Sequence, residues 1–169
     1  MIARRWPRLL AGGALGVVLL AGCGEDPGLD TAAVESYLAG NQAATFGTDA
    51  QVGKAHCPGH PALEEGMTLR CTLAVSDASV PYRLTLHKVH SATVAVDVAL
   101  DAVVLRSADV QDFVRAQLPK AFAGARVECG ADYVVTDVGE TVKCTVSSGA
   151  QDKPVSVKVE DEEGRISIS

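Results

Sequence analysis

Aromatic residues are scarce in this chain: three Phe, three Tyr and one Trp make up 4% of 169 residues. A stacking platform for sugars or single-stranded bases needs several such faces, so their scarcity argues against those ligands. Positive charge is also short, with 15 Lys+Arg against 21 Asp+Glu. That balance argues against nucleic acid, which is bound through a basic footprint, and against broad adhesion to anionic lipid. No apolar run reaches the ~18 residues that a transmembrane helix needs. Nucleophile elbows, phosphate-binding loops, dinucleotide fingerprints and the H-E-x-x-H zinc pattern are all missing. The acidic run Glu160–Glu163 lacks the ligand spacing of a calcium loop and reads as a solvated turn.

What is present begins with a targeting signal. Arg4, Arg5 and Arg8 precede the apolar stretch 9–20, "LLAGGALGVVLL", which ends in "LAGC" at Cys23. Leu, two small residues and then Cys resemble a bacterial lipobox. The resemblance implies cleavage before Cys23, a diacylglyceryl group on its thiol, and anchorage at the outer face of the cell membrane. Residues 1–22 are then the signal peptide, and 23–29 the lipidated Cys with a short linker. The Arg4–Arg5 pair fits twin-arginine export, but the rest of that motif is absent, which favours the Sec route. Processing would remove three arginines and the only Trp, Trp6. Lys+Arg falls from 15 to 12 against 21 Asp+Glu, a net charge near −9. Two acyl chains hold a protein stably, at roughly 0.8 kcal/mol per buried methylene. Six extended linker residues reach at most about 20 Å, which keeps the folded part near the membrane.

Four cysteines remain: Cys57, Cys71, Cys129 and Cys144. Four allow three pairings. Their surroundings repeat, for "GMTLRCT" at 66–72 returns as "GETVKCT" at 139–145. One pair per copy, Cys57 with Cys71 and Cys129 with Cys144, is the simple solution in an oxidising compartment. The rival is a metal site, since His56, Cys57 and His60 stand close together and His87 and His90 follow. The second copy reads "ECGAD" and has no His, whereas a disulfide accounts for both Cys pairs. No metal and no cofactor is expected.

The repeat extends beyond its signature. Val34, Tyr37, Leu38 and Phe46 match Val110, Phe113, Val114 and Phe122, on roughly one helical face. Asp30 or Thr31 can cap the first helix and Ser107 the second. Pro119 ends or kinks the second helix, and Gly40 weakens the first. Downstream, apolar residues alternate. Leu69, Cys71, Leu73 and Val75 correspond to Val142, Cys144 and Val146. Tyr82, Leu84 and Leu86 correspond to Val155, Val157 and Val159. Val94, Val96, Val98 and Leu100 correspond to Ile166 and Ile168. The first Cys of each pair is expected on or just before the first strand, and residues 161–164, "DEEG", in a turn. The expected fold is α+β: two tandem units, 30–104 and 105–169, each one helix followed by a three- to four-stranded antiparallel β-meander stapled by one disulfide.

This arrangement resembles the domain-of-unknown-function family 4333, on "C-x7-8-E/V-G-x-T-[L/V]-[R/K]-C-T" after a helix and before alternating strands. Cys57-Pro58 also fits that family, while Gly130 after Cys129 departs from it. The resemblance implies an actinobacterial envelope location and a small α+β fold, and no reaction.

The strand residues between the core positions point the other way. They bring Arg70, Arg83, Lys143 and Lys158 onto the outer faces, with the basic residue of the repeated motif in both copies. These four are candidate partner-binding residues, set against the alternative of an ordinary solvated face whose bases pair with nearby acids. The expected activity is non-enzymatic: a membrane-anchored binding or scaffold module that engages another envelope protein. The alternatives are an inhibitor of a secreted hydrolase, on a broad likeness to the beta-lactamase inhibitory proteins, and an enzyme using His56 or His60 with an acid.

Overall fold

A computed structural model describes residues 14–19, 29–47, 50–59, 64–90, 93–122, 124–149 and 151–169. The described residues are mostly antiparallel β-sheet with two α-helices. The first helix, α1 (Thr31–Phe46), starts where Asp30 Oδ1 accepts from the Ala33 N–H at 3.1 Å. That bond satisfies one of the amides left open at a helix start. Strands β1 (Ala14–Leu19), β2 (Val52–His56), β3 (Thr68–Val75), β4 (Ala78–His90) and β5 (Thr93–Leu100) form one sheet, in the order β1-β5-β4-β3-β2. Strand β6 (Val103–Arg106) leads into the second helix, α2 (Ser107–Gln117), and a 3-10 turn at Lys120–Phe122. Strands β7 (Arg126–Glu128), β9 (Thr141–Ser148), β10 (Gln151–Val159) and β11 (Ile166–Ile168) form a second sheet, ordered β11-β10-β9-β7. Strand β8 (Tyr133–Thr136) pairs with β6 in a separate ribbon.

Alternation along the strands selects the buried face. In β3, Leu69, Cys71, Leu73 and Val75 are buried while Thr68, Arg70, Thr72 and Ala74 are exposed. Strand β9 repeats the pattern with Val142, Cys144 and Val146. Period-two alternation is what a sheet covered on one side requires. The β3–β4 and β9–β10 hairpins also share a register: Thr72 lies opposite Pro81, and Thr145 opposite Pro154. Each proline is tolerated because its missing N–H faces past the end of the next strand. The Pro81 carbonyl accepts from Asp101 N–H at 3.0 Å, just beyond β5, and the Ser156 carbonyl accepts from Ser169 just beyond β11.

Two hydrophobic clusters result. One gathers Val34, Leu38 and Phe46 of α1 with Leu73, Tyr82, Leu84 and Val96. The other gathers Val110 and Val114 of α2 with Val127, Val142, Val146, Val157 and Val159. The β6–β8 ribbon lies between them and divides its residues by parity. Val104, Tyr133 and Val135 pack on the first cluster, whereas Val103, Leu105 and Val134 pack on the second.

Several expectations need correction. The first sheet has five strands, and the ribbon β6–β8 was not anticipated; its strand β6 straddles positions 104 and 105. Cys57 and Cys129 follow the first strand of their loops directly, after His56 and Glu128, instead of lying on or before it. Ser107 does not cap α2. The cap position is Arg106, with no side-chain capping bond, while buried Ser107 donates its hydroxyl to the carbonyls of Ala131 and, at 3.4 Å, Cys129. Arg106 instead grips Asp109 through two bonds of 2.8 and 2.9 Å. Ile168, expected in the core, is 45% exposed because β11 is a short edge strand. Within the apolar stretch 9–20, residues 14–19 are a strand paired with β5, and Cys23 lies outside the described residues. No helix among the described residues is long and apolar enough to cross a membrane.

Candidate functional site

The two cysteine pairs are disulfides, Cys57–Cys71 and Cys129–Cys144, with Cα atoms 4.3 and 4.1 Å apart. Each joins the residue after an edge strand to the centre of its neighbour, and all four sulfur-bearing residues are buried. Between them the chain returns through Gly66 or Gly139, with φ of 81° and 90°. Both glycines use the same bonds. Gly66 N–H donates to Leu86 carbonyl at 2.7 Å, and Gly139 N–H to Val159 carbonyl at 2.8 Å. In return Leu86 N–H donates to Met67 carbonyl at 3.0 Å, and Val159 N–H to Glu140 carbonyl at 2.9 Å. A left-handed residue is needed at this turn, and glycine adopts it without steric cost. The repeated motif therefore works locally: glycine turns the chain onto β3 or β9, Leu69 or Val142 enters the core, and the cysteine closes the loop.

The intervening residues carry the charge. Arg70 and Arg83 stand directly opposite each other across β3 and β4. Like charges in that relation repel. Here both reach one acid, Asp101: Arg70 Nε lies 3.2 Å from Oδ2, and an Arg83 guanidinium nitrogen bonds Oδ1. Asp101 is held just past the end of β5 by its backbone bond to Pro81. Farther along the same face, His87 Nε2 is 2.6 Å from Asp97 Oδ2. On the second sheet Lys158 lies 3.7 Å from Glu160. Lys143, opposite Ser156 and exposed, has no acidic partner among the described residues.

Among the described residues, three of the four predicted bases are thus ion-paired and Lys143 is not. The three bases are solvent-exposed, as is Glu160, whereas the Asp101 side chain is only 15% exposed; an ion pair exposed on both sides, such as Lys158–Glu160, contributes about 0–1 kcal/mol. Asp101 was missed in the sequence because it follows the last alternating residue of β5, where periodicity carries no signal. Arg70 and Arg83 are brought together, whereas Lys143 and Lys158 belong to the other sheet.

His56 is exposed, with Nδ1 3.7 Å from Glu35 Oε1, and that oxygen already accepts from the Cys57 N–H at 2.8 Å. His60 lies outside the described residues. Among the described residues no three His, Cys, Asp or Glu side chains stand close enough to hold a metal ion. A shallow depression beside α2 is lined by Gln111, Arg115, Arg126 and Glu128, but Arg115 pairs with Asp112, and Arg126 with Glu128 at 2.6 Å.

No protein-family model matches the chain, no curated protein matches it, and no solved structure matches it.

Proposed function

We propose that this chain is a lipoprotein anchored through Cys23 at the extracytoplasmic face of the cell membrane, where two tandem units serve as a non-enzymatic binding or scaffold module for another envelope protein. The observation that carries the location is the pair of buried disulfides downstream of "LAGC". Such bonds persist outside the reducing cytoplasm, and the lipobox supplies a route there.

The tandem reading is supported by two sheets with one strand sequence. The order β5-β4-β3-β2 runs parallel to β11-β10-β9-β7, each follows a helix, and the hairpin registers coincide. The envelope location and small fold implied by the resemblance to family 4333 are consistent with this reading. Binding through the outer faces favours Lys143, the base of the repeated motif that has no acidic partner among the described residues, with Arg70, Arg83 and Lys158 as a salt-sensitive surround for an acidic partner. Charges at a rim speed encounter and set register more than they raise affinity.

The test of the anchor is Cys23→Ala in the native host with a clickable fatty acid. The wild-type protein should carry the label and begin at residue 23; the variant should accumulate unlabelled at precursor mass. A variant that is still processed and labelled refutes the lipobox.

A further inference from the structure

Exposed sheet edges invite pairing with other chains, and natural edges are blunted by shortness, charge, proline or bulges. The edges of the two large sheets differ in this respect. Strand β2 is five residues long, carries Lys54, and breaks register between Val52 and Ala55. Strands β7 and β11 have three residues each, and β7 carries Arg126 and Glu128. Strand β5 has none of these protections. It runs for eight residues, "TVAVDVAL", with no Lys, Arg or Pro, and its one acid, Asp97, is engaged by His87 of β4. What covers its outer edge is β1, in six consecutive antiparallel pairs from Ala14–Val98 to Leu19–Thr93.

Strand β1 lies wholly within residues 1–22, upstream of Cys23. Processing at the lipobox would remove it and leave the outer backbone groups of β5 without a strand. The inference rests on the lipoprotein reading. We infer that in the processed protein the β5 edge is a strand-acceptor site, which takes an extended, uncharged, apolar segment of about six residues from another polypeptide, antiparallel, in the place of β1.

The occupant's character follows from the slot. The segment lying there, "ALGVVL", has no charge and no proline. Its smallest residues, Ala14 and Gly16, are in register with Val98 and Val96, which are 4% and 1% exposed. Helix α1 lies against β1, so the place that β1 occupies is bounded on one side by the helix. A second copy of β5 fits less well. Paired about a two-fold centred on Val96, it sets branched valines opposite Val96 and Val98, where β1 offers glycine and alanine. Strand addition obtains affinity from main-chain bonds and selectivity from alternate side chains, as this slot requires.

The experiment uses the processed lipoprotein extracted in non-ionic detergent, its intact mass read first. The probe is the peptide ALGVVL with solubilising lysines outside it, in parent form and in two versions N-methylated at alternate residues, one for each parity. Only one parity of amides can point at β5. The parent should bind one to one. One methylated version should lose at least about tenfold in affinity, and the other should stay within about threefold. No binding by the parent, or equal binding by both methylated versions, overturns the inference while leaving the anchor intact. A processed protein that sediments as a dimer the peptide does not disperse gives the edge to a second copy and also overturns it. An intact mass that still contains residues 1–22 refutes the lipoprotein reading, and this inference with it.

Discussion

The Tyr133 hydroxyl donates to the Phe46 carbonyl at 2.9 Å, and the two rings meet edge to face with centroids 5.8 Å apart. Phe46 is the last residue of α1, where carbonyls lack partners within the helix. Tyr133 belongs to β8, 87 residues away, so a ribbon strand closes the end of a distant helix. Tyr133→Phe keeps the ring contact and removes the hydroxyl. We expect a loss of about 1 kcal/mol, read by urea denaturation. Tyr133→Ala should cost about 3 kcal/mol or more, because the ring packs in the first cluster.

Tyr82 presents the opposite case. It is 1% exposed, and among the described residues its hydroxyl has no hydrogen-bond partner. Tyr82→Phe should therefore be neutral or stabilising, by up to about 1 kcal/mol at pH 7. Burial also pushes the Tyr82 phenol well above its ordinary range. Its pKa is higher folded than unfolded, so its contribution is intact below the unfolded value of about 10 and declines as pH rises above it, by about 1.4 kcal/mol per pH unit. Denaturation curves at pH 9 and pH 11 should show that decline in the wild type and a smaller one in Tyr82→Phe.

Glycine substitutions should have opposite signs at two positions. Gly40 lies inside α1, exposed, and an added Cβ meets nothing within 4 Å. Gly40→Ala should stabilise by about 1 kcal/mol and raise Tm by roughly 4 °C. Gly66 also has open space for a Cβ, but its φ is 81°. Gly66→Ala should destabilise by about 1 kcal/mol through backbone strain alone. Scanning calorimetry of the two variants separates strain from crowding.

Peptide mapping without reductant should return Cys57–Cys71 and Cys129–Cys144 and no crossed link. Each closes a loop of about 15 residues, which in the chain-entropy model contributes roughly 3 kcal/mol. Replacing both cysteines of either pair by alanine should lower the urea midpoint accordingly, and a second replacement in the other pair should add to the first.

The charged face makes a prediction with two arms. Arg70→Glu places a carboxylate beside Asp101 and opposite Arg83, while Lys143→Glu disturbs no ion pair among the described residues. Stability should fall by less than about 1 kcal/mol in the first and hardly change in the second. With the fold verified by circular dichroism, recovery of the partner by the double variant should fall, most steeply at low salt, where screening is weakest. Equal recovery at low salt would mark the face as ordinary surface.

The repeated heptapeptide, the alternation of β3 with β4 and β9 with β10, and the four cysteines were legible in the sequence because each rests on local rules. A strand covered on one side must alternate, a left-handed turn selects glycine, and a repeated cysteine spacing makes pairing within each copy the simplest solution. The ribbon β6–β8 was not legible. Its residues face cores on both sides, so Val103, Val104 and Leu105, like Val134 and Val135, form short apolar runs without a period. Ser107 misled for a similar reason: its position at a helix start is a local signal, but the carbonyls of Cys129 and Ala131 come close only after folding. Asp101 acquired its role between Arg70 and Arg83 from the end of a neighbouring strand, which no spacing in the chain announces. Periodicity and spacing by themselves determined the alternating strands and their turns, and made pairing within each repeat the simplest of three, which the structure shows. Only the tertiary structure decided which distant groups meet, because the partners of Tyr133, Ser107 and Asp101 are set by how sheets, ribbon and helices pack.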